Sequence, residues 1–235
     1  MKNKILWVLT IFPFLITLFA IQFMPDSVPM HYDIYGNIDR WGIKYELFIL
    51  PSIILLLTMM WKVWISSYNK KNENEMTGNK AKELKNNVNA IQIVAITMTL
   101  IFSIMQCYFL YLAYVKTIND NVNMNVEVHC LVSIAIGIML VFCGSVIPTT
   151  TVNSIVGIRT KWSMKNNNCW RKSNQLGGRT IMIAGLIMVL HSTWTRGFVN
   201  LVVSMVIVLV MVLLVIINSY KIYKKDSENK SEKWK

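Results

Sequence analysis

Charged residues are scarce in this sequence. Asp, Glu, Lys and Arg make up 15% of the 235 residues, whereas a soluble domain carries about 25%. The charges that are present cluster between long apolar runs, and uncharged runs of about 20 residues match the roughly 30 Å hydrocarbon core of a bilayer. The composition therefore excludes an ordinary soluble domain and predicts an all-α, polytopic integral membrane protein.

Six runs are apolar enough to be predicted as transmembrane helices. They cover residues 5–24, 46–65, 88–115, 128–148, 180–194 and 198–217. The fifth run is the weakest, because it is short and has polar Ser192 and Thr193 near its end. The first run follows two lysines, as a signal peptide would, but its end lacks a small-residue cleavage site. This favours a retained helix over a removed leader.

The Lys and Arg residues are distributed unequally between the connecting segments. If the N-terminus lies in the cytoplasm, the inner segments hold 20 of the 24 cations, and the outer loops keep only Arg40, Lys44, Lys116 and Arg196. The positive-inside rule then predicts that both termini are cytoplasmic. The net charge of +12 is explained by anionic inner-leaflet lipid. Because no nucleic-acid-binding motif accompanies this charge, direct nucleic-acid binding is not predicted.

The sequence also lacks the short motifs of common catalytic and metal sites. Its four cysteines form no Cys-x-x-Cys pair, which argues against a zinc ribbon or a disulfide framework. HExxH, serine-nucleophile and glycine-rich phosphate motifs are missing as well. The predicted spans carry essentially no ionisable residue of the kind that lines an ion pathway. We therefore expect no enzyme activity and no cofactor, and we expect small Gly137, Gly144 and Gly185 to pack helices together.

Two alternatives remain open at this point. The first is a small transporter or exporter of an amphipathic molecule. The second is a metal-dependent membrane enzyme, in which His31 and Asp33 are joined by His129, Glu127 or His191, since all three histidines fall near the predicted outer face.

The loop between the first two runs, VPMHYDIYGNIDRWGIKYE, is rich in polar and turn-forming residues. Gly36-Asn37 is a two-residue hairpin signal, because both residues tolerate positive φ. This turn predicts an extracytoplasmic hairpin in which Asp33 opposes Arg40 and Tyr32 opposes Trp41. Both pairs are favourable across strands.

The loop between the fourth and fifth runs, residues 151–179, contains six cations and no acid. Ser163 is predicted to start a short helix that runs through Trp170, and Gly177-Gly178 is predicted to end it. Tryptophans flanked by cations indicate a basic interfacial segment lying on the inner leaflet. An ordinary basic inner loop is the alternative.

The second loop resembles the signature of the SdpI family of bacterial immunity proteins, in which an Asn is followed by G-I-R-T-x-W, then a Trp and a Gly-Gly. The matching positions are Asn153, Gly157, Ile158, Arg159, Thr160, Trp162, Trp170, Gly177 and Gly178. The first loop resembles the N-terminal region of unknown function that often precedes this signature, through Pro25, Pro29, His31, Gly36, Asp39, Gly42 and Lys44. Lys161 departs from the pattern, since a proline is usual there.

The resemblance implies a multi-pass protein of the bacterial plasma membrane that gives resistance to a secreted, membrane-active peptide toxin. It also implies signalling, in which the cytoplasmic face holds a transcriptional repressor at the membrane. The expected toxin-facing residues are His31, Tyr32, Asp33, Gly36, Asn37, Asp39 and Trp41. The expected partner-binding residues are the nine motif positions of the second loop together with Arg171.

The chain is predicted to have four parts. Residues 1–65 form a two-helix region with the outer loop, and residues 66–87 form a cytoplasmic connector whose Lys, Glu and Asn favour a solvated segment. Residues 88–219 form the SdpI-like four-helix region. Residues 220–235 form a cytoplasmic tail of similar character to the connector.

Overall fold

The computed structural model describes residues 2–33, 37–74, 78–118 and 128–232. These residues form six α-helices and one antiparallel pair of strands. The elements in chain order are α1 (Lys2–Ala20), β1 (Ser27–Tyr32), β2 (Ile38–Ile43), α2 (Ile49–Asn74), α3 (Asn79–Ile118), α4 (Val128–Val146), α5 (Asn167–Ser192) and α6 (Gly197–Glu232). Short 3₁₀ turns occupy Lys44–Phe48, Ile147–Thr149 and Ser163–Lys165.

Within the described ranges, five helices are long and apolar enough to cross a membrane. They are Lys2–Ala20, Lys44–Lys70, Ala81–Ile118, Val128–Thr149 and Gly197–Asn229. Helix α5, which contains the predicted fifth span, is not among them, because its first half is polar and carries Arg171, Lys172 and Arg179. The all-α polytopic class is confirmed, with five spans that qualify by composition instead of six. The side of the membrane that each loop faces stays a prediction.

Helices α4 and α5 pack antiparallel through two pairs of facing glycines. A Cβ added to Gly137 would lie 2.8 Å from the carbonyl oxygen of Gly185, and one added to Gly144 would lie 2.6 Å from that of Gly178. Real Cβ atoms essentially never approach another heavy atom closer than 3.0 Å. The glycines therefore allow the two backbones to touch, as small residues do between membrane helices. The predicted packing role of Gly137, Gly144 and Gly185 is confirmed.

Buried polar side chains tie α1 to α2 and α3. The Thr10 and Thr58 hydroxyls lie 2.8 Å apart, and the Ser103 hydroxyl donates to the carbonyl of Leu9 at 2.9 Å. The Gln106 amide donates to the Thr17 hydroxyl, also at 2.9 Å. Hydrogen bonds of this kind satisfy polar groups that lipid cannot solvate.

The two motif-bearing loops rest on apolar clusters at opposite ends of α3. Val88, Ile91 and Ala95 near the start of α3 pack in a cluster that includes motif-loop residues Val156 and Ile158. Near the end of α3, Leu110 and Ala113 pack with Val28 of β1 and with Leu47, Ile21 and Met24. Residues 88 and 113 are separated by about 38 Å at 1.5 Å per helical residue, so the two loops lie at opposite ends of the bundle.

The predicted hairpin forms, but its register is different. His31 opposes Arg40 and Pro29 opposes Trp41, with irregular pairing on both sides of His31. The predicted pairs Asp33–Arg40 and Tyr32–Trp41 are therefore wrong.

The loop of the hairpin closes between Asp33 and Asn37. The Asp33 amide donates to the carbonyl of Asn37 at 2.8 Å. The Asp33 carboxylate accepts from the Asn37 backbone amide at 2.8 Å and from its side-chain amide at 3.0 Å. The predicted turn residue Gly36 lies, with residues 34 and 35, outside the described residues.

Two segments predicted as solvated are largely helical. Helix α2 continues to Asn74 and α3 begins at Asn79, so most of the connector 66–87 belongs to helices. Helix α6 continues to Glu232 and includes most of the tail. Lys and Glu are good helix formers, and extending an existing helix costs far less than starting a new one.

Candidate functional site

The motif loop between α4 and α5 is organised around Asn153, whose side chain is buried. Its amide nitrogen donates to the carbonyls of Thr151 at 2.8 Å and Val156 at 2.7 Å. Its oxygen accepts from the backbone amides of Ile155 and Val156, both at 2.8 Å. Buried backbone groups outside a helix need hydrogen-bond partners. The Asn153 side chain alone makes four such hydrogen bonds here.

Helix α5 holds the same loop through Trp170 and Asn174. The Trp170 indole donates to the carbonyl of Thr150 at 3.0 Å. The Asn174 oxygen accepts from the Ile158 amide at 2.8 Å, and its nitrogen donates to the carbonyl of Trp170 at 2.9 Å. Gly157 has a φ of +137°, and a Cβ there would lie 2.6 Å from the Trp170 ring.

Trp170 is only 2% exposed, which overturns its expected role as a surface residue that meets a partner. Burial of the indole against Gly157 makes it a packing residue of the loop. Asn174 is fully buried and was not predicted as a site residue. The sequence could have identified Asn174 through its position four residues after Trp170, which places both residues on the same face of a helix.

The predicted helix boundaries in this loop are also wrong. Ser163 begins a 3₁₀ turn and exchanges hydrogen bonds with Thr160, at 2.9 and 3.0 Å. Asn166 is the N-cap of α5, since its side chain accepts from the Cys169 amide. Gly177 and Gly178 do not end a helix but lie within α5. A Cβ on Gly177 would overlap the Ile158 side chain, so this glycine makes room for the loop.

The C-terminal part of α6 packs against the motif loop. The Trp162 and Tyr220 rings meet edge to face at 5.2 Å, and the Thr160 hydroxyl lies 2.5 Å from that of Ser219. Farther along α6, Asp226 accepts from the side-chain amides of Asn166 and Asn168, at 2.9 and 2.5 Å. The end of α6 is therefore a structural part of this site.

Two of the predicted partner-binding residues lie on the surface. Arg159 and Arg171 are exposed. Across residues 2–33, 37–74, 78–118 and 128–232, neither makes a hydrogen bond or an ion pair. Trp162 is half-buried and has the Lys161 ammonium 5.2 Å from its ring centroid.

At the opposite end of the bundle, polar contacts fix the hairpin to the helices. The Arg40 guanidinium lies 2.5 Å from the Glu46 carboxylate, which also accepts from the Ile43 amide at 3.1 Å. His129 of α4 lies with its Nε2 3.1 Å from the Asp33 carbonyl oxygen. A carbonyl only accepts, so Nε2 donates.

Most predicted toxin-facing residues are accessible. His31, Asn37, Asp39 and Trp41 are exposed, and His31 Nδ1 lies 2.6 Å from Asp39 Oδ1. Tyr32 and Asp33 are half-buried. Burial raises the pKa of Tyr32 to about 12, with a smaller contribution from Tyr108.

The three histidines are not gathered into one site. His191 contacts the hydroxyls of Thr195 and Ser204, at 2.9 and 3.0 Å, whereas His31 pairs with Asp39. Among the described residues, no group of three or more His, Cys, Asp or Glu side chains is placed to hold a metal ion. Glu127 of the metal hypothesis lies outside these residues.

Comparison with known proteins assigns both motif-bearing regions. Residues 149–220 match the SdpI/YfhL protein family. The C-terminal part of the chain is therefore similar to this family. Residues 8–55 match a domain of unknown function, DUF1648. Immunity protein SdpI of Bacillus subtilis (strain 168) is 24% identical over 228 residues, which cover 95% of this chain and 97% of that protein. No solved structure matches.

The SdpI-family match coincides with a packed unit of the fold. It begins at Thr149, ends at Tyr220, and so contains the motif loop, α5 and the part of α6 that contacts Trp162. The predicted resemblance is confirmed. With its five apolar helices, this chain is a multi-pass protein of the cell membrane.

Proposed function

We propose that the protein is an SdpI-like immunity protein that protects its cell against a membrane-active peptide toxin by binding it, without catalysing a reaction. The carrying observation is the match to Immunity protein SdpI over 95% of this chain and 97% of that protein. A match over nearly the full length of both chains favours a shared activity over the reuse of one segment.

The hairpin is the surface that supports toxin binding. Trp41 is 44% exposed and lies on β2 beside exposed Asp39 and Arg40. An aromatic side chain beside polar groups is typical of the membrane interface. A peptide that arrives through the outer leaflet would contact Trp41 there. The distribution of cations predicts that this end faces outward.

Recruitment of a cytoplasmic repressor is the second part of this proposal. Its support is the exposure of Arg159 on the motif loop and of Arg171 in the first turns of α5. Arginine is enriched among the residues that dominate protein interfaces. The motif loop and the start of α5 therefore offer two exposed guanidinium groups on the same side of the bundle.

The test is survival of toxin-sensitive cells that express the protein. Wild-type protein should protect, and Trp41→Ala should lose most of the protection at equal membrane abundance. Trp194→Ala is the matched control, because Trp194 is 82% exposed and lies outside the hairpin. We expect this control to protect as the wild type does. Failure of the wild type to protect would refute the function, and equal loss in both variants would refute the role of the hairpin.

A further inference from the structure

A cavity of about 460 Å³ lies beneath the hairpin. Its volume falls within the range of ligand-binding pockets, about 300–1,000 Å³. Strands β1 and β2 cover it, and the start of α2, the later part of α3 and the first turn of α4 form its walls. Most of the wall is apolar, with Leu47, Leu50, Phe109, Leu112 and Val128 as examples.

The charged groups in the wall neutralise one another. Arg40 pairs with Glu46 at 2.5 Å, and the second carboxylate oxygen of Glu46 accepts from Ile43. A charged ligand would bring an unmatched charge into an apolar cavity, which is unfavourable. The wall therefore favours a neutral ligand.

Besides His31 and His129, which also line the cavity, the wall offers two polar groups that carry no charge. Gln106 is 1% exposed, and its amide nitrogen donates to the Thr17 hydroxyl and the Leu47 carbonyl, both at 2.9 Å. Because a carbonyl can only accept, these bonds fix the orientation of the amide. Within the described part of the chain, neither Gln106 Oε1 nor the Tyr32 hydroxyl has a hydrogen-bond partner.

Gln106 Oε1 keeps access to the cavity. Among the described residues, Trp61 Nε1 is the side-chain polar atom that is both sealed from solvent and unpartnered. Gln106 Oε1 also has no partner among these residues, but it is not sealed from solvent in the way that Trp61 Nε1 is. Because Gln106 lines the cavity, its oxygen is accessible from there. A fixed acceptor in an apolar surrounding calls for a donor from a ligand.

We propose that this cavity binds a neutral, apolar segment of a peptide, which donates a hydrogen bond to Gln106 Oε1 and forms another with the Tyr32 hydroxyl. A backbone amide or an indole N–H is a neutral donor attached to an apolar group. A phospholipid headgroup carries a phosphate. The charges of the wall are already paired with each other, so they would not neutralise this phosphate. The assignment of this peptide to the toxin rests on the proposed function.

The first experiment measures binding of N-acetyltryptophan amide, a neutral molecule with indole and amide donors, to the full-length protein in phosphatidylcholine nanodiscs. Ligand-detected NMR should show saturable binding. N-Acetyltryptophan, which has a carboxylate in place of the amide, should bind at least about tenfold more weakly, since its charge is unpaired in the cavity. Absence of saturable binding would overturn the proposal. Loss of N-acetyltryptophan amide binding in phosphatidylglycerol nanodiscs would also overturn the proposal, because it would show that lipid occupies the cavity.

Two pairs of variants locate the bound probe. Tyr32→Phe removes one hydroxyl and should weaken binding about threefold to tenfold, whereas Tyr45→Phe, at an exposed tyrosine outside the cavity, should leave it unchanged. Leu50→Trp fills the cavity and should abolish binding. Leu56→Trp, at a 66% exposed site on the same helix, should not. Equal binding by Leu50→Trp and Leu56→Trp would show that the probe binds elsewhere.

Toxin challenge then separates this proposal from the proposed function. If Leu50→Trp loses the probe but protects fully at normal abundance, the cavity is not where the toxin binds, and the immunity function stands. If the wild type does not protect, the immunity function fails, and probe binding alone decides whether the cavity is a ligand site.

Discussion

Gly144 touches the backbone of α5, so Gly144→Ala should destabilise the folded protein. The added Cβ would lie 2.6 Å from the Gly178 carbonyl oxygen and 2.7 Å from the Met182 amide nitrogen. Both are backbone atoms, which cannot move unless the helices separate. Overpacking of this kind costs about 1–3 kcal/mol, and the better helix propensity of Ala returns about 1 kcal/mol.

We therefore expect a net loss of up to about 2 kcal/mol in the free energy of unfolding. The measurement is reversible unfolding of the purified protein in mixed micelles. Ser145→Ala, at the exposed neighbouring position, is the control and should change stability by less than about 0.5 kcal/mol.

The double variant Gly144→Ala/Gly178→Ala sharpens the test. The Cβ atoms of both residues would meet the backbone of the same facing pair, so one separation of α4 and α5 relieves both clashes. The loss in the double variant should be smaller than the sum of the single losses, which a double-mutant cycle measures. If Gly144→Ala is no less stable than Ser145→Ala, the described backbone contact does not exist.

Three further predictions concern the loops. Asn153→Ala removes four hydrogen bonds from buried backbone groups and should lower stability by about 2–4 kcal/mol, measured by the same unfolding. Asn153→Asp keeps both acceptor bonds but turns an oxygen towards the carbonyls of Thr151 and Val156, so it should lose at least as much stability as Asn153→Ala; wild-type stability of Asn153→Asp would contradict the described bonding. Asp226→Ala should loosen the loop from α6 and speed proteolysis after Lys165, whereas Asn229→Ala, at an exposed position of the same helix, should not. Tyr32 should titrate with a pKa of about 12, so the spectral difference between wild type and Tyr32→Phe should show almost no tyrosinate at pH 10.5. Because this pKa is raised, stability should be unaffected below pH 10 and should fall as the pH rises from 10 towards 12.

The sequence predicts the apolar helices and the two motif-bearing loops because these depend on local composition. Runs without charge mark the spans, and the cluster of Pro, Gly and charged residues around His31 marks the hairpin. The register of the hairpin was not predictable from turn propensity, because the Asp33 carboxylate binds both amides of Asn37. Such a contact competes with the turn that Gly36-Asn37 alone would favour.

The motif loop was harder to predict because its residues act through partners distant in sequence. Trp170 is flanked by cations, as an interfacial tryptophan is, yet Thr150 and Gly157 enclose it. Gly178 follows another glycine, as a helix terminator does, yet it lies against Gly144 on α4. Sequence spacing identifies these residues as special, but only the packing of α4 on α5 shows that their role is close approach.

We predict that the hairpin binds the toxin on the outer side of the membrane. The most direct test of this prediction is cysteine labelling in intact cells, with a membrane-impermeant maleimide and a protein whose only cysteine replaces exposed Asn37. The control carries its only cysteine at exposed Lys161 in the motif loop. We predict that Asn37→Cys is labelled from outside, that the toxin slows this labelling, and that Lys161→Cys is labelled only after the membrane is permeabilised. Labelling of Lys161→Cys but not Asn37→Cys in intact cells, or labelling of Asn37→Cys at the same rate with and without toxin, would contradict the account.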